Sequence, residues 1–425
     1  MQITNFLTLG QINALFNLTP RFMSDQLQSQ SLSSQRLISL DALRGFTIAG
    51  MVIVNDPGSW SHVYLPLEHA SWHGLTFTDL IFPFFLYIVG VSIAFAYTKR
   101  MDANLPKKDI YKKIIWRAIK IFGVGMLLRL IPDFDFSDLR WAGVLQRIAL
   151  VFLVCALLFL NTTWRKQVWI GAIILVGYWI LMTFIPVPID DVIRQSLETG
   201  TVMRSHGLIP VGEMKQISDG LIAANYNPGV NIVAWFDRIF LPGTFWEKTW
   251  DPEGLMSTLP AFVTCIIGML VGRYILTEKD MNKKLVMLFF AGFMMLIAGE
   301  LWSYIFPLNK NLWTSSFVLY TGGAATMGLA ALILIVDIWG YTNWTKLGRV
   351  YGANAITSYV LAGILTTVFY DDIWWGISFS RSFMDGMTGI GVAPKLASFM
   401  YAIIYMLIIY VPAYFLYKRK IFIKL

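Results

Sequence analysis

Three of the chain's four histidines, His62, His69 and His73, fall within a short stretch that carries no Lys or Arg, residues 56–77. The fourth, His206, stands alone. The stretch begins Asn55-Asp56-Pro57-Gly58-Ser59-Trp60 and continues Glu68-His69-Ala70-Ser71-Trp72-His73-Gly74-Leu75-Thr76, with Asp79 and Phe82-Pro83-Phe84 just beyond. Imidazole is the side chain best suited to take a proton near neutral pH or to attack an acyl carbonyl. His69 and His73 are four apart, which on a helix would suit a metal with Asp79 or Glu68 as third ligand. No third His or Cys supports that, and no metal is expected. A solvated loop has no need of so many aromatic rings; one rich in Pro, Gly and Trp folds back over the mouth of a helical bundle, where it can line a cavity.

Other polar groups stand in apolar surroundings, where an ionised side chain costs at least about 2.5 kcal/mol near the centre of a membrane span. Asp41 and Arg44 are three apart and pair on one helical face. Gln146 and Arg147 sit together early in an apolar run, and a lone Arg there wants an anion. Asp251-Pro252-Glu253-Gly254 and Asn309-Lys310-Asn311-Leu312-Trp313 precede two further runs; Asp251 suits a helix cap as well as a substrate contact. Cys155 and Cys265 lie inside apolar runs, form no CxxC pair and read as small packed hydrophobes.

The elements that must position these groups follow from composition. Of 425 residues, 56% are hydrophobic and only 14% charged, too few to clothe a soluble surface. Apolar runs of membrane-spanning length recur at about 37–55, 78–98, 113–131, 143–161, 167–186, 256–277, 285–305, 314–338, 351–370 and 396–417. The fold class is therefore an all-α polytopic membrane protein of about ten transmembrane helices. Residues 1–35 form a polar N-terminal extension to the transmembrane domain, 36–425. Lys and Arg concentrate in alternate loops, above all Lys99, Arg100, Lys107, Lys108, Lys112 and Lys113, and in the tail Lys418, Arg419 and Lys420. That places both termini in the cytoplasm and one long loop, about 187–255, outside. A net charge of +8 then reflects topology rather than nucleic acid, for which no recognition element appears.

With these pieces in order, the sequence resembles the heparan-α-glucosaminide N-acetyltransferase family from about Arg36 onward. The matching pieces are Arg36-Leu37 with Asp41 and Arg44-Gly45, His69-Ala70-Ser71-Trp72 with Gly74-Leu75-Thr76, Asp79-Leu80 and Phe82-Pro83. Gly143-Val144-Leu145-Gln146-Arg147, Asp251-Pro252-Glu253-Gly254, Asn309-Lys310-Asn311-Leu312-Trp313 and Tyr417-Lys418-Arg419-Lys420-Ile421-Phe422 follow. The resemblance implies transfer of acetyl from cytoplasmic acetyl-CoA to the amine of a terminal glucosamine or related amino sugar outside. It implies His69 as the catalytic histidine with Asn55 beside it, and Asn55 itself separates this chain from related O-acetylating enzymes that carry histidine there. Arg44, Arg147 and Gln146 are the expected cofactor-binding residues, the two arginines near the cytoplasmic ends of their spans. Trp72, Asp79, Asp251, Glu253 and Asn309 are the expected substrate contacts. The expected partners are an amino-sugar acceptor, coenzyme A and the lipid bilayer, with a homodimer among the arrangements the family allows.

The absence of a larger region before residue 36 points to a bacterial inner membrane. The competing class is a secondary transporter for amino sugars, against which stands the lack of an internal inverted repeat.

Overall fold

The computed structural model describes residues 37–423 apart from 104–105, 138 and 373–375. The expected extension over 1–35, and Arg36 of the first family motif, lie outside the described residues.

The apolar runs fold as helices, the form that pairs every backbone N–H and C=O internally where water is absent. In order these are α1 (Ile38–Asn55), α2 (Phe77–Asp102), α3 (Lys107–Leu130), α4 (Val144–Asn161), α5 (Trp164–Phe184), the short α6 (Asp191–Thr199) and α7 (Ile232–Phe240), α8 (Thr258–Thr277), α9 (Met281–Ser303), α10 (Ser315–Leu332), α11 (Lys346–Ala353), α12 (Ala355–Tyr370), α13 (Phe379–Gly389) and α14 (Pro394–Lys418). Among the described residues, eight helices are long and apolar enough to cross a membrane: α1, α2, α4, α5, α8, α9, α10 with its π-helical continuation to Ile338, and α14.

Two of the ten expected spans come out differently. The run expected at 113–131 is the second part of α3, whose Lys112, Lys113, Arg117 and Lys120 make it too charged to count with the others. The run at 351–370 belongs to a pair of helices bent by 75°. The break is at Asn354, whose backbone leaves the helical region. Its side chain there is tied to the C-terminal tail, donating from Nδ2 to the Ile421 carbonyl at 3.0 Å and accepting at Oδ1 from the Ile423 N–H at 2.8 Å.

The helices cross closely where side chains vanish. A Cβ at Gly90 on α2 would run into the Cys265 carbonyl of α8, and one at Gly268 on α8 would run into the Tyr87 carbonyl of α2. Gly45 on α1 is likewise pressed against the backbone of Gly348 and Gly352 on α11. Small residues at such crossings let backbones approach, which is how helices gain packing where lipid offers no hydrophobic drive.

The long segment between α5 and α8 is a small folded layer rather than a plain loop. β1 (Val187–Pro188), β5 (Leu221–Ile222) and β4 (Gln216–Ser218) pair antiparallel in that order, and β2 (Thr201–Arg204) pairs with β3 (Gly207–Pro210) as a hairpin. Arg238 on α7 clasps the layer, donating to the Asp190 carboxylate at 2.7 Å and to the carbonyls of Gly229 and Thr249. The expected loop at 371–395 also contains a helix, α13.

Candidate active site

The stretch from Asp56 to Thr76 is pinned at both ends. At its start, Thr366 of α12 donates to the buried Asp56 carboxylate at 2.8 Å, and the Tyr370 hydroxyl donates to the Pro57 carbonyl at 2.7 Å. The Gly58 N–H then donates to the Ser398 carbonyl of α14 at 3.2 Å. At its end, Thr76 and Asp79 form a capping box that starts α2.

That capping carboxylate is also the anchor of His69. Asp79 Oδ2 accepts the backbone N–H groups of Ala70 at 3.0 Å and Thr76 at 3.1 Å, and the Thr76 hydroxyl at 3.0 Å. Asp79 Oδ1 lies 2.7 Å from His69 Nδ1. A carboxylate only accepts, so Nδ1 carries the hydrogen and the lone pair of the neutral ring is on Nε2. The Asp79 side chain is 1% exposed while that of His69 is 44% exposed. A buried carboxylate therefore orients an accessible base, the geometry by which an acid–base histidine is held in one tautomer. Asp79, expected among the substrate contacts, is buried and uses both oxygens on these internal partners.

A second turn closes on the same ring. Asn309, fully buried, accepts the Leu312 N–H at Oδ1 and donates from Nδ2 to the Trp72 carbonyl at 2.8 Å, with His73 Nδ1 at 3.3 Å. The Gly74 N–H donates to the Leu308 carbonyl at 2.8 Å. Asn309, expected among the substrate contacts, thus joins the histidine stretch to the 304–314 turn. Its neighbour Lys310 extends to His69, with Nζ 3.2 Å from Nδ1, 3.3 Å from Nε2 and 3.9 Å from Asp79 Oδ1. Burial lowers the pKa of Lys310; the charges of Asp79 and Glu253 oppose that shift and Arg147 adds to it. Burial also holds His73 below the usual histidine range.

Trp72 faces the 187–257 layer, donating from Nε1 to the Tyr226 carbonyl at 2.7 Å and packing edge-on against Trp250 at 5.5 Å. Asp251 is buried and grips Arg140 through both oxygens, at 2.7 and 2.6 Å, while Glu253 takes the same guanidinium at 2.6 Å. Both carboxylates, expected as substrate contacts, are engaged in an internal ion cluster, and Glu253 is within electrostatic reach of Lys310.

Arg147 departs furthest from expectation. It lies in the first turn of α4, buried, donating to the Gly254 carbonyl at 3.0 Å and to the Ser257 hydroxyl, with its guanidinium 5.1 Å above the Trp313 ring. Its charge is felt by Lys310, which groups it with the His69 cluster rather than with Arg44. Gln146 accompanies it, buried with Nε2 3.4 Å from Met126 Sδ. Arg44 is at the other end of α1 from Asn55, donating to Asp41 at 2.6 Å and to the Gly352 carbonyl at 2.8 Å. Arg100 and Arg117 share its neighbourhood, since both it and Arg100 act electrostatically on Arg117. Asn55 is exposed at the C-terminal end of α1 and makes no hydrogen bond to His69. His62 pairs with the Ser59 hydroxyl at 3.3 Å and His206 sits in the β2–β3 turn, so neither joins the cluster. Among the described residues no group of His, Cys, Asp and Glu is arranged to hold a metal.

The family model described as heparan-alpha-glucosaminide N-acetyltransferase, catalytic, matches residues 36–202. That stretch contains Asn55, His69, Asp79 and Arg147, whereas Asn309 and Lys310 lie beyond it. Over 438 residues the chain is 28% identical to a human protein named heparan-alpha-glucosaminide N-acetyltransferase, covering 92% of this chain and 60% of that one. The mouse protein of the same name is 27% identical over 448 residues, covering 94% and 62% respectively. The chain thus spans about three-fifths of the length of these relatives.

Proposed function

We propose, from the premise that this chain belongs to the heparan-α-glucosaminide N-acetyltransferase family, that it moves acetyl from acetyl-CoA to the amine of an amino sugar across a membrane. The observation that carries the reading is the Asp79–His69 pair at 2.7 Å, a buried carboxylate behind an accessible imidazole.

On this reading His69 Nε2 is the working atom. It takes the proton as the amine attacks the thioester carbon, or carries the acetyl group between donor and acceptor; the C–S bond breaks and the thiolate leaves as the thiol. Asp79 fixes the ring and stabilises the imidazolium that forms, an effect of the kind that gives general acid–base catalysis its roughly 10²–10⁴-fold. Asn55, exposed at the same end, is the proposed donor to the thioester oxygen. The phosphates of coenzyme A suit the arginine neighbourhood of Arg44, Arg100 and Arg117, which is at the opposite end of α1, and the acyl arm would run between the helices toward His69. Arg147, expected with Gln146 to bind the cofactor, instead fits a brace for the 254–257 segment, through the Gly254 carbonyl and the Ser257 hydroxyl. Lys and Arg in alternate loops support an orientation with Arg44 and both termini on the cytoplasmic side of a cell membrane and His69 outside.

The test is purified protein with labelled acetyl-CoA and glucosamine. N-acetylated sugar, free CoA and a CoA-dependent rise in thermal stability are expected. An absence of product together with indifference to CoA would favour an amino-sugar transporter instead.

A further inference from the structure

Lys310 Nζ stands beside both members of the His69–Asp79 pair. It is 3.3 Å from the nitrogen that would take the acceptor's proton and 3.9 Å from the Asp79 carboxylate that would attract its charge. The 304–314 turn holds it there: Asn309 beside it is fully buried and accepts the Leu312 N–H, and the Thr314 hydroxyl accepts the Asn309 N–H at 3.1 Å. The side chain is 18% exposed, so the amine is shielded but reachable. The charged groups around it are His69, Asp79, Glu253 and Arg147, drawn from the histidine stretch, α2, the segment before α8, and α4. Burial weakens the hold of its ammonium on the proton that must leave before the amine can attack.

We propose that Lys310 is an internal acceptor, and that with acetyl-CoA bound and no sugar present its amine is acetylated at this site. The inference rests on the acyltransferase reading. In the step, His69 Nε2 takes a proton from the Lys310 ammonium and the freed amine attacks the thioester carbon. The C–N bond forms, the C–S bond breaks, and the thiolate leaves as free thiol after taking one proton. The amide nitrogen sheds its second proton, so one proton is released per acetyl transferred. The product carries no charge, and an acetylated Lys310 stands where the sugar amine must enter. The modification therefore brakes the enzyme when acceptor runs short, and acceptor protects against it.

The experiment incubates full-length protein with acetyl-CoA, with and without glucosamine, beside His69→Ala and Lys310→Arg. Acetyl on residue 310 is read by peptide mass, and sugar product in parallel. Lys283, whose side chain is 70% exposed, serves as the measure of uncatalysed acetylation. The expected result is acetyl on Lys310 at least about tenfold above Lys283, lost in His69→Ala and suppressed by glucosamine, with transfer to sugar falling as residue 310 fills. Sugar product without acetyl on Lys310 would overturn the proposal and leave the acyltransferase reading standing. Acetylation equal to that of Lys283, or equal in His69→Ala, would also overturn it. Acetyl on Lys310 without sugar product would support it and move the acceptor away from glucosamine. No transfer to either amine would overturn both.

Discussion

At the scale of single residues, two buried carboxylates are used in opposite ways. Asp79 uses one oxygen on His69 and the other on the backbone that starts α2, so it orients the base and shapes the loop at once. Asp79→Asn keeps an oxygen for one of these tasks and loses the charge that stabilises an imidazolium. Turnover is expected to fall about 10²–10⁴-fold with KM for the sugar nearly unchanged, as read by steady-state kinetics. Asp237 shows the opposite environment. Its Oδ1 accepts the N–H groups of Leu255 and Met256, its Oδ2 has no partner, and burial pushes its carboxyl up to about 7. Between its ordinary value of 3.8 and about 7 the folded chain holds a proton that the unfolded chain has lost, so this group makes stability fall as pH rises through that window. Asp237→Asn keeps the acceptor oxygen and removes the titration; the Tm of the variant should lose that downward slope. The sequence showed that His69 and Asp79 are near each other, because they lie ten residues apart, but not that they pair. The approach of Lys310 was not legible, although its motif was in view: its partner is 241 residues away, and spacing along the chain carries no sign of it.

At the scale of elements, the close crossings decide what can be changed. Gly90→Ala on α2 would push into the Cys265 carbonyl of α8 and should destabilise by about 1–3 kcal/mol or more, whereas nothing lies within 4 Å of a Cβ at Gly177 on α5. Gly177→Ala is expected to be neutral or to stabilise by up to about 1 kcal/mol, since Ala is the better helix former. Thermal unfolding in detergent separates the two. Hydropathy located the helices within a few residues because an apolar run of that length has few other ways to satisfy its backbone. It did not show that Asn354 breaks one of them, which depends on the distant tail at Ile421 and Ile423. Nor did it resolve the 187–257 layer, whose strands are two to four residues long and too short for a periodic pattern. The sequence also carries no sign of the partners of Arg147, because Gly254 and Ser257 are more than a hundred residues along.

At the scale of the whole molecule, the two ends proposed to take donor and acceptor are joined by one helix. Arg44 lies in the first half of α1 among other arginines, and Asn55 ends it at the stretch that carries His69. The proposed reaction needs that separation, because its donor and its acceptor meet the protein from opposite sides. The measurement that tests this most directly uses sealed vesicles holding the protein, with labelled acetyl-CoA confined to one compartment and glucosamine to the other. The account predicts N-acetylglucosamine in the glucosamine compartment for the wild type and none for His69→Ala. Product formed only when both substrates share a compartment, or formed equally by His69→Ala, would contradict it.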